Sequence, residues 1–136
     1  MLKMHHIGVA VNDIETTSNH YINDIGGFSK SEIFLDEKQG INIQWLYPTD
    51  KCGLPIELIQ PVTEKNPVAN ILKKSGVTPY HICYETDDIK AEYNRFRGEG
   101  YICIGSFFIG VAHEGRNCVF LYHKDMGLLE LVESKK

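Results

Sequence analysis

The chain repeats itself, and that repeat limits its fold more than any other feature. His6 and His81, Ile7 and Ile82, Asp13 and Asp88, Ile14 and Ile89, and Asn19 and Asn94 all recur at a spacing of 75 residues. Further on the spacing falls to 73, matching Gly27 with Gly100, Phe28 with Tyr101, and Glu57 with Glu130. A single two-residue deletion in the second helix region accounts for the change. A chain built from two copies of one unit must fold as two like halves, so the repeat decides the architecture before any element is assigned.

Each copy spells the same element order. Lys3–Val11 has the β-branched, apolar character of a strand. Asp13 is placed to cap a helix over Ile14 to Asp24, and Gly26–Gly27 ends it. Strands follow at Phe28–Leu35, Ile41–Tyr47 and Leu54–Gln60, separated by the turns "LDEKQG" and "PTDKCG". Asn66, Pro67 and Gly76 bracket a short connector helix. The order then restarts with a strand at Tyr80–Thr86, a helix capped by Asp88 and running to Arg97, and strands near Tyr101–Phe107, Asn117–Tyr122 and Leu128–Glu133. The fold class is therefore α+β: two tandem βαβββ modules forming one curved mixed sheet. The pattern predicts one domain over 1–136, with module one at 1–62, the connector at 63–77 and module two at 78–136.

The repeat gives four polar residues a common meaning. His6 and His81 sit in first strands, and Glu57 and Glu130 sit in last strands. Side chains alternate faces along a strand. In "PIELIQ" Glu57 therefore points away from Ile56 and Leu58, and in "LLELV" Glu130 points away from Leu129 and Leu131. His6 shares its face with Gly8 and Ala10, which leave room beside it. Taken singly, such a histidine reads as structural or exposed, and such a glutamate as part of a solvated face. Placed symmetrically, the four are expected to converge on one cavity. Two imidazoles and two carboxylates suit a divalent ion such as Zn²⁺, Co²⁺, Ni²⁺, Mn²⁺ or Fe²⁺. A dication would also offset the cost of burying the carboxylates.

The remaining composition narrows the function. A net charge of −4 over 136 residues argues against general binding to nucleic acid or a membrane surface. No apolar run approaches the roughly 20 residues of a membrane span. Four cysteines, with no C-x-x-C pair, read as reduced, mostly buried thiols of a cytoplasmic protein. Trp45, Tyr47, Phe107 and Phe108 either line an aromatic pocket or fill the core. Lys73, Lys74 and Lys124 would suit an anionic ligand, though solvated lysines are common on exposed faces.

The segments "HHIGVAVNDI", "IELIQPVTEKNPVANILKKSGVTPYHICYETDDI" and "CVFLYHKDMGLLELVE" resemble the vicinal oxygen chelate superfamily of glyoxalases, bleomycin-resistance proteins and extradiol dioxygenases. The resemblance covers nearly the whole chain. Within that superfamily it points to the methylmalonyl-CoA epimerase family, and the central block is its most specific part. It implies metal ligation by His6, Glu57, His81 and Glu130. The implied reaction removes a proton beside a thioester carbonyl, with Glu130 as acid/base and Glu57 serving the opposite face. The implied substrate is an acyl-CoA or a glutathione thioester, and the implied assembly is a homodimer. The chain departs from the family pattern at Tyr80–His81, at Tyr122–His123–Lys124 and at the lone Gly127. Some epimerases carry a catalytic glutamate in the third strand. Here Ile41 to Pro48 has no carboxylate, and Gln44 stands in that region. A glyoxalase I-type lyase shares the same site. A facial triad of His6, His81 and Glu130 would suit an extradiol dioxygenase, but Glu57 fills a position that reaction needs. A non-catalytic binding protein would lack the metal ligands.

Overall fold

The computed structural model describes residues 2–135. The first half begins with strand β1 (Lys3–Ala10) and helix α1 (Ile14–His20). Strands β2 (Phe28–Asp36), β3 (Ile41–Pro48) and β4 (Ile56–Pro61) complete it. Helix α2 (Pro67–Ser75) connects to the second half, built from β5 (Thr78–Thr86), α3 (Ile89–Gly98), β6 (Ile102–Ile109), β7 (Asn117–His123) and β8 (Gly127–Glu133). The eight strands belong to a mixed sheet, ordered β2-β3-β4-β1 in the first half and β5-β8-β7-β6 in the second. By contact density the chain divides into two compact units, His6–Tyr80 and His81–Lys136 with Met1–His5.

Each half has the same internal pairing. β1 runs parallel to β4, with Gly8 beside Glu57, and β5 runs parallel to β8, with Cys83 beside Glu130. β3 and β7 are antiparallel to those last strands, and β2 and β6 are antiparallel edge partners carrying irregular registers at Lys30/Ile33 and Ile104/Phe108. Apolar residues alternate accordingly. Val9, Val11, Ile14, Leu46 and Leu58 pack as one buried cluster under α1. Ile89, Phe96, Val119, Leu121, Leu129 and Leu131 form its counterpart under α3, with Leu2 against it. Each fully buried side chain of this size contributes about 1.5–3 kcal/mol.

The helix starts follow from their caps. The Asp13 carboxylate accepts from the Thr16 amide at 3.0 Å, and Asp88 accepts from the Ala91 amide at 3.0 Å. The Thr16 hydroxyl and amide bonds hold the Asp13 carboxyl below the ordinary carboxylate range. The first helix, expected to run unbroken to Asp24, instead widens into a π-turn over Tyr21–Ile25. Gly26 N–H closes that turn on Tyr21 O at 2.9 Å. Partial burial raises the Tyr21 phenol above its usual value.

The single deletion expected from sequence is only part of the length difference. Trp45 faces Glu57 across β3–β4, and Phe120 faces Glu130 across β7–β8. Trp45 and Phe120 are 75 apart, whereas Glu57 and Glu130 are 73 apart. The offset therefore changes three times. The first helix region is longer in module one. The β6–β7 connection regains the length through a 3₁₀ turn at Val111–His113. The β7–β8 turn then loses it again.

Candidate functional site

In the first half, β1 and β4 carry His6 and Glu57 to the face opposite α1. His6 lies two residues before Gly8, the register partner of Glu57, so both side chains share a face. His6 Nε2 stands 3.3 Å from Glu57 Oε1, and both side chains are buried. Trp45, directly across from Glu57, sets its ring edge-on to the His6 imidazole at 4.9 Å. Tyr47 stacks on Trp45 from two residues along, with centroids 6.2 Å apart.

The second half builds the same arrangement from its own strands. His81 precedes Cys83, the register partner of Glu130, by two residues. His81 Nε2 stands 3.3 Å from Glu130 Oε1, again with both side chains buried. Phe120 takes the place of Trp45, edge-on to His81 at 5.2 Å. Phe108 stacks on Phe120 at 5.6 Å. On the other side of the carboxylate, His113 Nε2 lies 4.0 Å from Glu130 Oε2.

The fit of each pair to a metal ion can be tested on its spacing. A hydrogen bond between charged imidazole and carboxylate would draw the atoms to about 2.7–2.9 Å. Two ligand atoms each about 2.1 Å from one cation, subtending about 100°, lie about 3.3 Å apart. The spacing of 3.3 Å in both halves is that of two neighbouring ligands on one ion. Nitrogen and oxygen donors of this kind suit a divalent metal of the first transition series.

Other candidates fall elsewhere. Gln44 lies opposite Leu58 and so faces the α1 core, not the face of Glu57. Its Nε2 donates to Ser31 O at 2.8 Å. Phe107 packs against Tyr93 of α3 at 5.0 Å, so it belongs to the helix side. Trp45, Tyr47 and Phe108 do stand on the faces that carry the His–Glu pairs. Lys73 and Lys74 are exposed in the last turn of α2, and Lys124 is exposed in the β7–β8 turn. None of the four cysteines is in a disulfide; Cys83 and Cys118 are buried, but Cys103 is only half-buried and Cys52 is exposed, so the thiols are not mostly buried as expected. Sequence reasoning missed Phe120 and His113. The antiparallel pairing of "NCVFLYH" with "LLELV" would have exposed Phe120. His113 lies in a turn whose geometry no periodicity announces. Among the described residues, no helix is long and apolar enough to cross a membrane.

Comparison with known proteins supplies the family and the fold. Residues 5–120 match a family model described as the glyoxalase/bleomycin resistance protein/dioxygenase superfamily. The chain is 30% identical to the ethylmalonyl-CoA/methylmalonyl-CoA epimerase of Cereibacter sphaeroides, over 95% of this chain and 96% of that one. Its fold superposes on the crystal structure of methylmalonyl-CoA epimerase from Mycobacterium tuberculosis with a TM-score of 0.84 at 25% identity, covering 98% of this chain and 88% of that one. A Streptomyces coelicolor methylmalonyl-CoA epimerase variant, solved in complex with 2-nitronate-propionyl-CoA, matches at a TM-score of 0.83 and 28% identity, covering 98% of each chain.

Proposed function

Because the chain belongs to the glyoxalase/bleomycin resistance protein/dioxygenase superfamily, we propose that it is a divalent-metal-dependent epimerase acting on an acyl-CoA of the methylmalonyl-CoA kind. In this reading His6, Glu57, His81 and Glu130 together hold one cation. The observation that carries the reading is the duplicated His–Glu pair, buried and spaced at 3.3 Å in each half. A divalent ion bound there lowers the cost of negative charge on a thioester oxygen, and so acidifies the neighbouring C–H.

The chain's own residues then move the proton. Glu130 takes it from the carbon beside the thioester carbonyl, and Glu57 returns one from the other side. Each carboxylate has an aromatic residue directly across the ladder, Phe120 or Trp45, whose ring packs edge-on against the neighbouring imidazole. Gln44 takes no part in proton transfer, because it faces the α1 core and an amide is not a general base at neutral pH.

The test is solvent exchange. Metal-loaded protein is mixed with methylmalonyl-CoA in D₂O, and the α-proton signal is followed by NMR. Loss of the signal with racemisation is expected. An unchanged α-proton, from protein shown to carry its metal, would overturn the proposal. Turnover of a methylglyoxal–glutathione hemithioacetal in its place would assign the site to a lyase.

A further inference from the structure

A second set of ligand atoms lies beside Glu130, wholly within the second half. His113, Cys118 and Glu130 are all buried, and one donor atom from each lies within 4.8 Å of the others. Two tetrahedral ligands of one ion, each bound at about 2.0–2.3 Å, stand about 3.3–3.8 Å apart. The His113 Nε2–Glu130 Oε2 spacing of 4.0 Å lies just outside that range, a gap that a small rotation of either side chain closes. Glu130 offers its two oxygens in two directions, Oε1 towards His81 and Oε2 towards His113.

We propose that His113, Cys118 and Glu130 form a second cation position, suited to Zn²⁺ or another thiophilic divalent ion, at which a bound ion would draw on Glu130 Oε2 and so oppose the role of Glu130 as a base in the proposed function. Thiolate and imidazole ligands favour such ions over Mg²⁺ or Ca²⁺. The thiol proton leaves to solvent as the metal–sulfur bond forms. The thiolate then brings a negative charge of its own to the position, beside the carboxylate shared with the His81 position.

The backbone holds this cluster in place. His113 N–H donates to Gly110 O at 3.0 Å, and Arg116 N–H and Nε both donate to His113 O, at 3.1 and 3.0 Å. Arg116 is anchored in turn by Glu85 Oε2 at 2.9 Å and Glu133 O at 3.2 Å. At Gly110 a Cβ would come within 2.7 Å of His113 Cδ2 and 3.0 Å of Cys118 Sγ. Only glycine leaves space there for the imidazole and the thiol to stand side by side.

Cobalt titration tests the proposal without reference to activity. Co²⁺ bound to a thiolate gives a sulfur-to-metal charge-transfer band in the near ultraviolet, which nitrogen and oxygen ligands do not give. The full chain is expected to show this band and to bind two ions by elemental analysis. Cys118→Ser should lose the band and one ion, and His113→Ala should weaken the same step about tenfold or more. His81→Ala should keep the band, which separates this site from the one proposed for catalysis. Circular dichroism establishes that each variant is folded. If the full chain binds one ion with no thiolate band, and folded Cys118→Ser binds the same amount, the second position does not exist.

Discussion

Trp45 stands directly across the β3–β4 ladder from Glu57 and holds its indole edge-on to the imidazole that the carboxylate faces. It is the only tryptophan in the chain. Its fluorescence therefore reports on an ion held beside His6 and Glu57. Adding Zn²⁺ or Mn²⁺ to metal-free protein should change the emission intensity, and Glu57→Ala should shift the change to higher metal concentration. An emission that ignores the metal in the folded, metal-binding protein would separate Glu57 from the ion.

Glu57→Gln divides ligation from proton transfer. An amide oxygen still ligates but cannot act as a base. The variant should keep its ion while turnover falls about 10²–10⁴-fold, the usual contribution of a positioned acid or base. Glu130→Gln should show a loss of the same order. Elemental analysis beside an exchange assay checks both.

Chelation should destabilise the protein. A ligand at 100 times its dissociation constant adds about 2.7 kcal/mol to the folded state. For a domain of this size that corresponds to roughly 10 °C in Tm. Dialysis against a chelator should lower Tm by about that amount, and restoring the metal should reverse it, as read by calorimetry.

Asn66 ties α2 to the β2–β3 turn. Its Oδ1 accepts from Val68 N–H at 2.9 Å, while its Nδ2 donates to Gln39 O at 2.8 Å and Gly40 O at 3.0 Å. Asn66→Ala loses a cap, worth about 1 kcal/mol, and leaves the half-buried Gln39 carbonyl without its donor, at about 1–3 kcal/mol, while Gly40 O keeps the Val62 N–H at 2.9 Å. A urea melt should show a loss of roughly 2–4 kcal/mol with an unchanged slope.

Asp13 sets an acid limit on α1. Its carboxyl is held below the ordinary value by the Thr16 hydroxyl and amide bonds. A lowered folded-state value means the cap stabilises above the ordinary carboxylate value of about 3.9 and fades as pH falls through the lowered one. Asp13→Asn should flatten that part of the acid-unfolding curve and leave stability at neutral pH little changed.

Period-two alternation was enough to read Glu57 and Glu130 as facing away from their apolar neighbours, and the duplicated order of elements led to the α+β sheet. Both signals arise from backbone geometry that every strand shares. The features that escaped sequence reasoning depend on local deviations. The π-turn at Tyr21–Ile25 carries an ordinary helical pattern, and only the Gly26 N–H to Tyr21 O bond shows it. Phe107 and Phe108 look alike in sequence, yet the irregular register of β6 and simple alternation send one to Tyr93 and the other to Phe120. His113 was invisible because a 3₁₀ turn of three residues has no periodicity to read.

The parallel pairing of β1 with β4, and of β5 with β8, joins the first strand of each half to its last. A ribosome-bound chain thus exposes His6 long before Glu57 exists to oppose it, and His81 long before Glu130. Neither His–Glu pair can assemble until its half has been synthesised almost to the end. If the proposed function holds, metal capture is a late event, and an occupied centre certifies that the long-range strand pairings have already closed.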